Sequence, residues 1–161
     1  MKKKTRLTLL CILLPLLAMG QEWDEAAYRQ IESSIKPPAL SAKEFPVEKY
    51  GAATTATALQ NQKALQKAID KCSKQGGGRV VVPAGTFKTG AIVLKSRVNL
   101  VLNEGALLKF VFPFDLATGA PTMKDAGKLY PIVETSWEGL DCFNLSPCLY
   151  AYKATDIALT G

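Results

Sequence analysis

The sequence predicts an all-β chain wound as a parallel β-helix, with one α-helix capping its first coil. Three observations predict it. From Gly76 to Phe110 four short apolar strands follow one another, each ended by glycine or a small polar turn. Nothing between them is long enough to be a helix, which fits a solenoid better than a βαβ sheet. An amphipathic helix lies just upstream, where a terminal repeat needs a polar outer face.

The chain has 161 residues, enough for one domain or part of one. Residues 1–20 read as a signal peptide. Lys2, Lys3, Lys4 and Arg6 form a positive start, and Leu7 to Ala18 is an apolar run of 12 residues. Ala18-Met19-Gly20 then offers small residues for cleavage before Gln21. The run is shorter than the roughly 20 residues a spanning helix needs, so no membrane association is expected after cleavage. Cys11 follows Leu10 inside the run, which disfavours a lipoprotein. A secreted or periplasmic protein is expected.

The formal charge of +6 belongs mostly to that segment: residues 21–161 carry 16 basic against 14 acidic side chains. No basic stripe of the kind nucleic acid needs remains, so a nucleic-acid partner is not expected. The chain has no histidine and no Cys-x-x-Cys, so neither a His-based triad nor a zinc site is expected, and no cofactor. Cys72, Cys142 and Cys148 remain after cleavage. Cys142 and Cys148 are close enough in sequence to be joined, and buried free thiols are the alternative.

Residues 21–45 read as a short helix and an extended arm through Pro37-Pro38. Phe45 to Gly51 reads as a first strand, and Ala52 to Ala58 as a loop. A helix is predicted over Thr57–Lys74, with Thr57 and Gln60 forming a capping box. Leu65, Ala68, Ile69 and Cys72 make its apolar stripe. Lys63, Lys67, Lys71 and Lys74 read as a solvated surface, with an anion-binding face as the alternative. Gly76-Gly77-Gly78 ends the helix; it lacks the Lys-Ser/Thr of a phosphate-binding loop.

From there the period is two. Val82, Ile92, Leu94, Leu100, Leu102 and Leu108 are the expected core. Turns fall at Pro83–Gly85, Thr89-Gly90, Ser96-Arg97 and Asn103–Gly105. Residues 112–147 break the rhythm and read as a long loop, a form that is uncommon unless functional. Leu149–Tyr152 and Ile157–Leu159 resume the alternation. Within the loop, Trp137 and Glu138 are the candidate substrate-binding residues: the indole suits stacking on a sugar ring and the carboxylate a hydroxyl. The alternative is that Trp137 packs over the first coil and Glu138 caps a turn. Asp70, Asp115, Asp125 and Asp141 are scattered and read as structural or surface groups.

An ordered set of segments carries a resemblance. Tyr50-Gly51-Ala52, Ala64–Asp70, Gly76–Gly90, Leu94-Lys95-Ser96, Trp137-Glu138-Gly139, Pro147, Tyr150-Ala151 and Asp156–Gly161 resemble the N-terminal region of glycoside hydrolase family 28, the polygalacturonases. The resemblance implies a right-handed, pectin-lyase-like parallel β-helix. It also implies inverting hydrolysis of galacturonan by clustered aspartates set apart to admit a water. Residues 46–161 would form the N-terminal part of that domain, without its C-terminal coils. The family's catalytic Asn-Thr-Asp, Asp-Asp, Gly-His-Gly and Arg-Ile-Lys motifs do not occur in these residues. No catalytic residue is therefore assigned, and these residues alone are expected to be inactive. Two places depart from the family pattern: Ser136 stands where relatives tend to carry Arg, and Pro147-Cys148-Leu149-Tyr150-Ala151 stands where they tend to read Pro-Leu-Ile-Tyr-Ala. The implied partner is a pectic polysaccharide or oligogalacturonide, and the full-length protein is expected to be a monomer. Two other readings remain open: a calcium-dependent pectate-lyase-like β-helix, or a non-catalytic carbohydrate-binding one.

Overall fold

The computed structural model describes residues 24–112 and 127–161. The predicted signal peptide, Asp115 and Asp125 lie outside the described residues. The structure divides into two units, one ending at Pro37 and one running from Pro38 to Gly161.

The described part of the first unit is helix α1, Glu25–Ser34. Asp24 caps it, its carboxylate accepting from the Ala26 and Ala27 amides at 3.0 Å each. Arg29 pairs with Glu25 one turn back at 3.1 Å, an exposed contact worth little. No residue of α1 is buried.

The second unit is built of parallel strands that return in a fixed order. Strand β1 is Glu44–Pro46, followed by a 3-10 turn over Val47–Tyr50 and a left-handed Gly51. The first strand is thus shorter than the sequence suggests: Pro46 offers no amide to a ladder and the chain turns there. Helix α2, Ala58–Lys74, begins at the expected capping box, Thr57 and Gln60 each closing on the other's backbone. Strands β2 (Gly78–Val82), β3 (Gly85–Thr89) and β4 (Ile92–Val93) make one circuit. Strands β5 (Val98–Leu102), β6 (Ala106–Phe110) and β9 (Leu149–Tyr150) lie on them in the same order, and β10 (Ala158–Thr160) begins again on β5. Every one of these pairings is parallel; Val80 faces Leu100, Phe87 faces Leu108, Ile92 faces Leu149, and Leu100 faces Leu159.

Between Gly76 and Phe110 there are therefore five strands, not four. The additional one is β3, whose alternation is carried by Phe87 and Thr89, both buried. A buried threonine hides the period from a search for apolar residues alone. The core under α2 joins Leu65, Ile69 and Cys72 to Val80, Val82, Phe87, Ile92, Leu94, Val98 and Leu100. Leu102 and Leu108 are only partly buried, though both pack against it.

Helix α2 is held to the sheets by amides as well as by its apolar stripe. Gln66 behaves like a strand residue: its Oε1 accepts from the Val93 amide and its Nε2 donates to the Val93 carbonyl, both at 3.0 Å. Gln62 Nε2 donates to the Ala91 and Leu129 carbonyls at 2.8 Å each. Fully buried Asn61 closes a two-bond ring with the backbone of Ala53, each bond 2.9 Å. The helix ends at a glycine pair. Gly77, at φ +101°, donates to Cys72 O, and a Cβ there would collide with the Arg97 carbonyl.

Candidate functional site

Residues 132–145 form an antiparallel hairpin in place of the expected loop. Strand β7, Ile132–Trp137, pairs with β8, Leu140–Leu145, in a register that sets Ser136 opposite Asp141 and Trp137 opposite Leu140. The turn is Glu138-Gly139, both at positive φ (50° and 83°). Two left-handed residues in a two-residue turn give the twist that a hairpin needs. The signal was present in the sequence: an X-Gly pair between two stretches of six residues. It is weak because neither stretch has a continuous apolar face.

The two candidate residues sit together at the tip. Trp137 is 70% exposed, so it does not pack over the first coil. Glu138 is the first turn residue and is exposed. An indole presented this way offers an open face to a planar or sugar-ring partner, with a carboxylate beside it.

A groove of about 530 Å³ runs between the hairpin and the segment after β9. Its polar lining is Glu134, Thr135, Ser136 and Asp141, and its aromatic lining Tyr150 and Tyr152. Trp137 and Glu138 are not among the lining residues. Lys153 Nζ stands over the Tyr152 ring, 5.2 Å from its centre. The sequence pointed to the hairpin tip but not to this groove, because the packing of residues 150–152 beside residues 134–141 is set by the pairing of β9 with β4. The groove suits hydroxyl-rich ligands, with aromatic edges and two carboxylate acceptors. Its acids oppose a uronate, and Ser136, across from Asp141, leaves them without the basic neighbour that an arginine there would provide.

Below the hairpin, Tyr130 is fully buried and its ring stacks on Phe112 at 4.7 Å. Burial, with the Cys148 thiol beside it, pushes the phenol up to about 12. Cys72, Cys142 and Cys148 are free thiols, Cys72 buried and the other two half-buried. Burial pushes the Cys72 thiol up to about 11, with Lys43 acting in the opposite sense. Among the described residues no group of three or more His, Cys, Asp or Glu side chains is placed to hold a metal ion. Likewise no described helix is long and apolar enough to cross a membrane.

No family model matches the chain. An exo-poly-alpha-D-galacturonosidase from Dickeya chrysanthemi is 45% identical over 91 residues, which is 56% of this chain and 14% of that protein. The crystal structure of a hyperthermoactive exopolygalacturonase from Thermotoga maritima superposes with a TM-score of 0.66 at 31% identity, covering 83% of this chain and 27% of that one. The family 28 exopolygalacturonase of Yersinia enterocolitica superposes with a TM-score of 0.59 at 28% identity, covering 75% of this chain and 20% of that one. This chain therefore spans well under a third of the length of each of these proteins.

Proposed function

We propose, from a chain that carries a region similar to the glycoside hydrolase family 28 exopolygalacturonases, that it forms the first coils of a right-handed parallel β-helix that hydrolyses galacturonan. The single observation that carries this reading is the strand order. The circuit β2–β3–β4 is followed by β5–β6–β9, each strand lying parallel on its predecessor, within a region alike in sequence to a galacturonosidase. In this reading the protein is exported, cleaved before Gln21, and acts as a monomer on pectic polysaccharide or oligogalacturonide.

The inverting chemistry falls to carboxylates outside these 161 residues, one as general acid and its partners activating water. Nothing in the groove by the hairpin substitutes for them. Glu134 and Asp141 lie exposed on the two paired strands of an open surface. What this chain supplies is binding: Trp137 stacks on a sugar ring and Glu138 accepts from a hydroxyl. These contacts position a chain end without touching the scissile bond.

The test is reducing-sugar release from polygalacturonate. Residues 21–161 are expected to release none, and the product of the gene read past Gly161 is expected to release it. Release by the shorter protein overturns the division of labour, and silence from the longer one overturns the hydrolase reading. In the longer protein, Trp137→Ala is expected to raise KM for short oligogalacturonides about tenfold with kcat little changed, the pattern of lost uniform binding.

A further inference from the structure

We propose that the exposed face of α2, with the corner between β4 and β5, is a docking surface for an acidic polysaccharide chain, distinct from the hairpin groove; the uronate identity of that chain rests on the galacturonan reading above. Lys63, Lys67, Lys71 and Lys74 follow at steps of four, four and three. On an α-helix that spacing keeps them in one stripe, about 16 Å long at 1.5 Å per residue. All four are exposed, and with Gln66 and Asp70 they line an open groove of about 420 Å³.

The fold extends this stripe in a way the helix sequence alone does not show. Gln66 and Asp70 also line a second hollow of about 300 Å³, whose far wall carries Lys95 after β4. At the end of the helix, Arg97 Nη2 donates to the Ser73 carbonyl at 3.4 Å, which brings its guanidinium to the last turn. Six of the 16 basic side chains of residues 21–161 thus gather on one surface with a single acid, Asp70, and that acid accepts from Gln66 at 3.1 Å. The remaining ten basic residues are outnumbered by 13 acidic ones. The near-neutral total conceals this separation. Among the described residues none of the five lysines or Arg97 takes part in an ion pair. Like charges one turn apart destabilise a helix, so the stripe is an expense to α2 that an external anion would relieve.

The chemistry selects the occupant. Ammonium groups are compact, mobile point charges suited to a row of carboxylates along a flexible polymer. No aromatic side chain lines either hollow, so the stacking platform that single-stranded nucleic acid uses is missing. A polyuronate held on α2 would raise the local concentration of its chain ends. The hairpin groove, with Glu134 and Asp141, cannot do this by charge.

Affinity electrophoresis in gels containing polygalacturonate tests the assignment on the full chain. The wild type is expected to be retarded at low salt and released at high salt. A variant with Lys63, Lys67, Lys71 and Lys74 all changed to Gln, which keeps helix propensity, is expected to bind about tenfold more weakly. The matching variant with all four changed to Arg keeps the charge and is expected to bind as the wild type does; it decides the matter if the Gln variant fails to fold. Unchanged retardation of a folded Gln variant overturns the proposal. Loss of binding in the Arg variant also overturns it, as does equal retardation by fully methyl-esterified polymer. A galacturonate trimer, too short to span the stripe, separates this idea from the enzymatic one. Its hydrolysis by the gene product read past Gly161 is expected to be the same in the Gln variant and the wild type. If no trimer is hydrolysed by either protein while polymer binding still depends on the lysines, the hydrolase reading falls and the docking surface stands.

Discussion

Strands β2 and β7 are nearly equal in length and lie in the same unit, yet they are built on opposite terms. In β2 four of five residues are buried and the fifth, Arg79, is half-buried. In β7 none is buried and only Val133 is half-buried. Strand β2 is paired on both edges, by β1 and β5, and roofed by α2. Strand β7 has β8 alone. The coil strands are stabilised by apolar burial, worth roughly 1.5–3 kcal/mol for each large side chain. The hairpin rests on its turn geometry and ladder, and a two-stranded ribbon is marginal by itself. One region therefore tolerates almost no change of volume, while the other leaves Trp137, Leu140 and Phe143 open for contact.

The sharpest way to break this comparison is to empty the core. Phe87→Ala should cost about 3–5 kcal/mol and Leu100→Ala about 2–5 kcal/mol, read from denaturant midpoints. A loss of less than about 0.5 kcal/mol, the range of surface changes, would mean that β3 and β5 are not packed as described. Next comes Asn61→Ala, which leaves the Ala53 amide without its partner and the Ala53 carbonyl with the Ala56 amide alone. Its expected cost is about 1–3 kcal/mol.

A smaller effect comes with pH. The folded Cys72 pKa is raised, so the folded state favours the protonated thiol. Its contribution is complete below the unfolded thiol's pKa of about 8.5 and is lost as pH rises toward about 11. Cys72→Ala should flatten the stability curve across that window. In the native protein, Cys142 and Cys148 should react with iodoacetamide well before Cys72. The smallest effect is expected at the hairpin: Phe143→Ala, at a residue 77% exposed, should shift stability by no more than about 0.5 kcal/mol. A loss like that of Phe87→Ala would show that the two regions do not differ as claimed.

The same contrast governs what the sequence made legible. Helix α2 was readable to its capping box because its signals are local: Thr57 and Gln60 are three residues apart, and Leu65, Ala68, Ile69 and Cys72 repeat at helical spacing. Strands β2 and β5 were readable because burial leaves a run of valine and leucine. Strand β3 was missed because Thr89 stands where an apolar residue would have completed the period. The hairpin was read as a loop because, exposed on both faces, it leaves no apolar side to detect. Trp137 and Glu138 were found by residue type, yet the groove beside them was not. It is assembled from residues brought together by the β4–β9 pairing, across a separation of more than fifty positions. The amide of Gln66 is the clearest case of silence: nothing in a helical glutamine announces that it will pair with a strand.

That last feature gives the molecule a direction. By taking up both hydrogen-bonding groups of Val93, Gln66 occupies an edge that would otherwise accept another strand. Pro46 blunts the outer edge of β1 in the same manner, by having no hydrogen to give. The β4 and β1 edges are thus blocked chemically on the side of α2. A second molecule meeting this protein flank-on finds no template at Val93 or Pro46, so strand-to-strand association of like chains is discouraged at these two edges. A single Gln66→Ala change would return the Val93 amide and carbonyl to circulation and make the β4 edge adhesive.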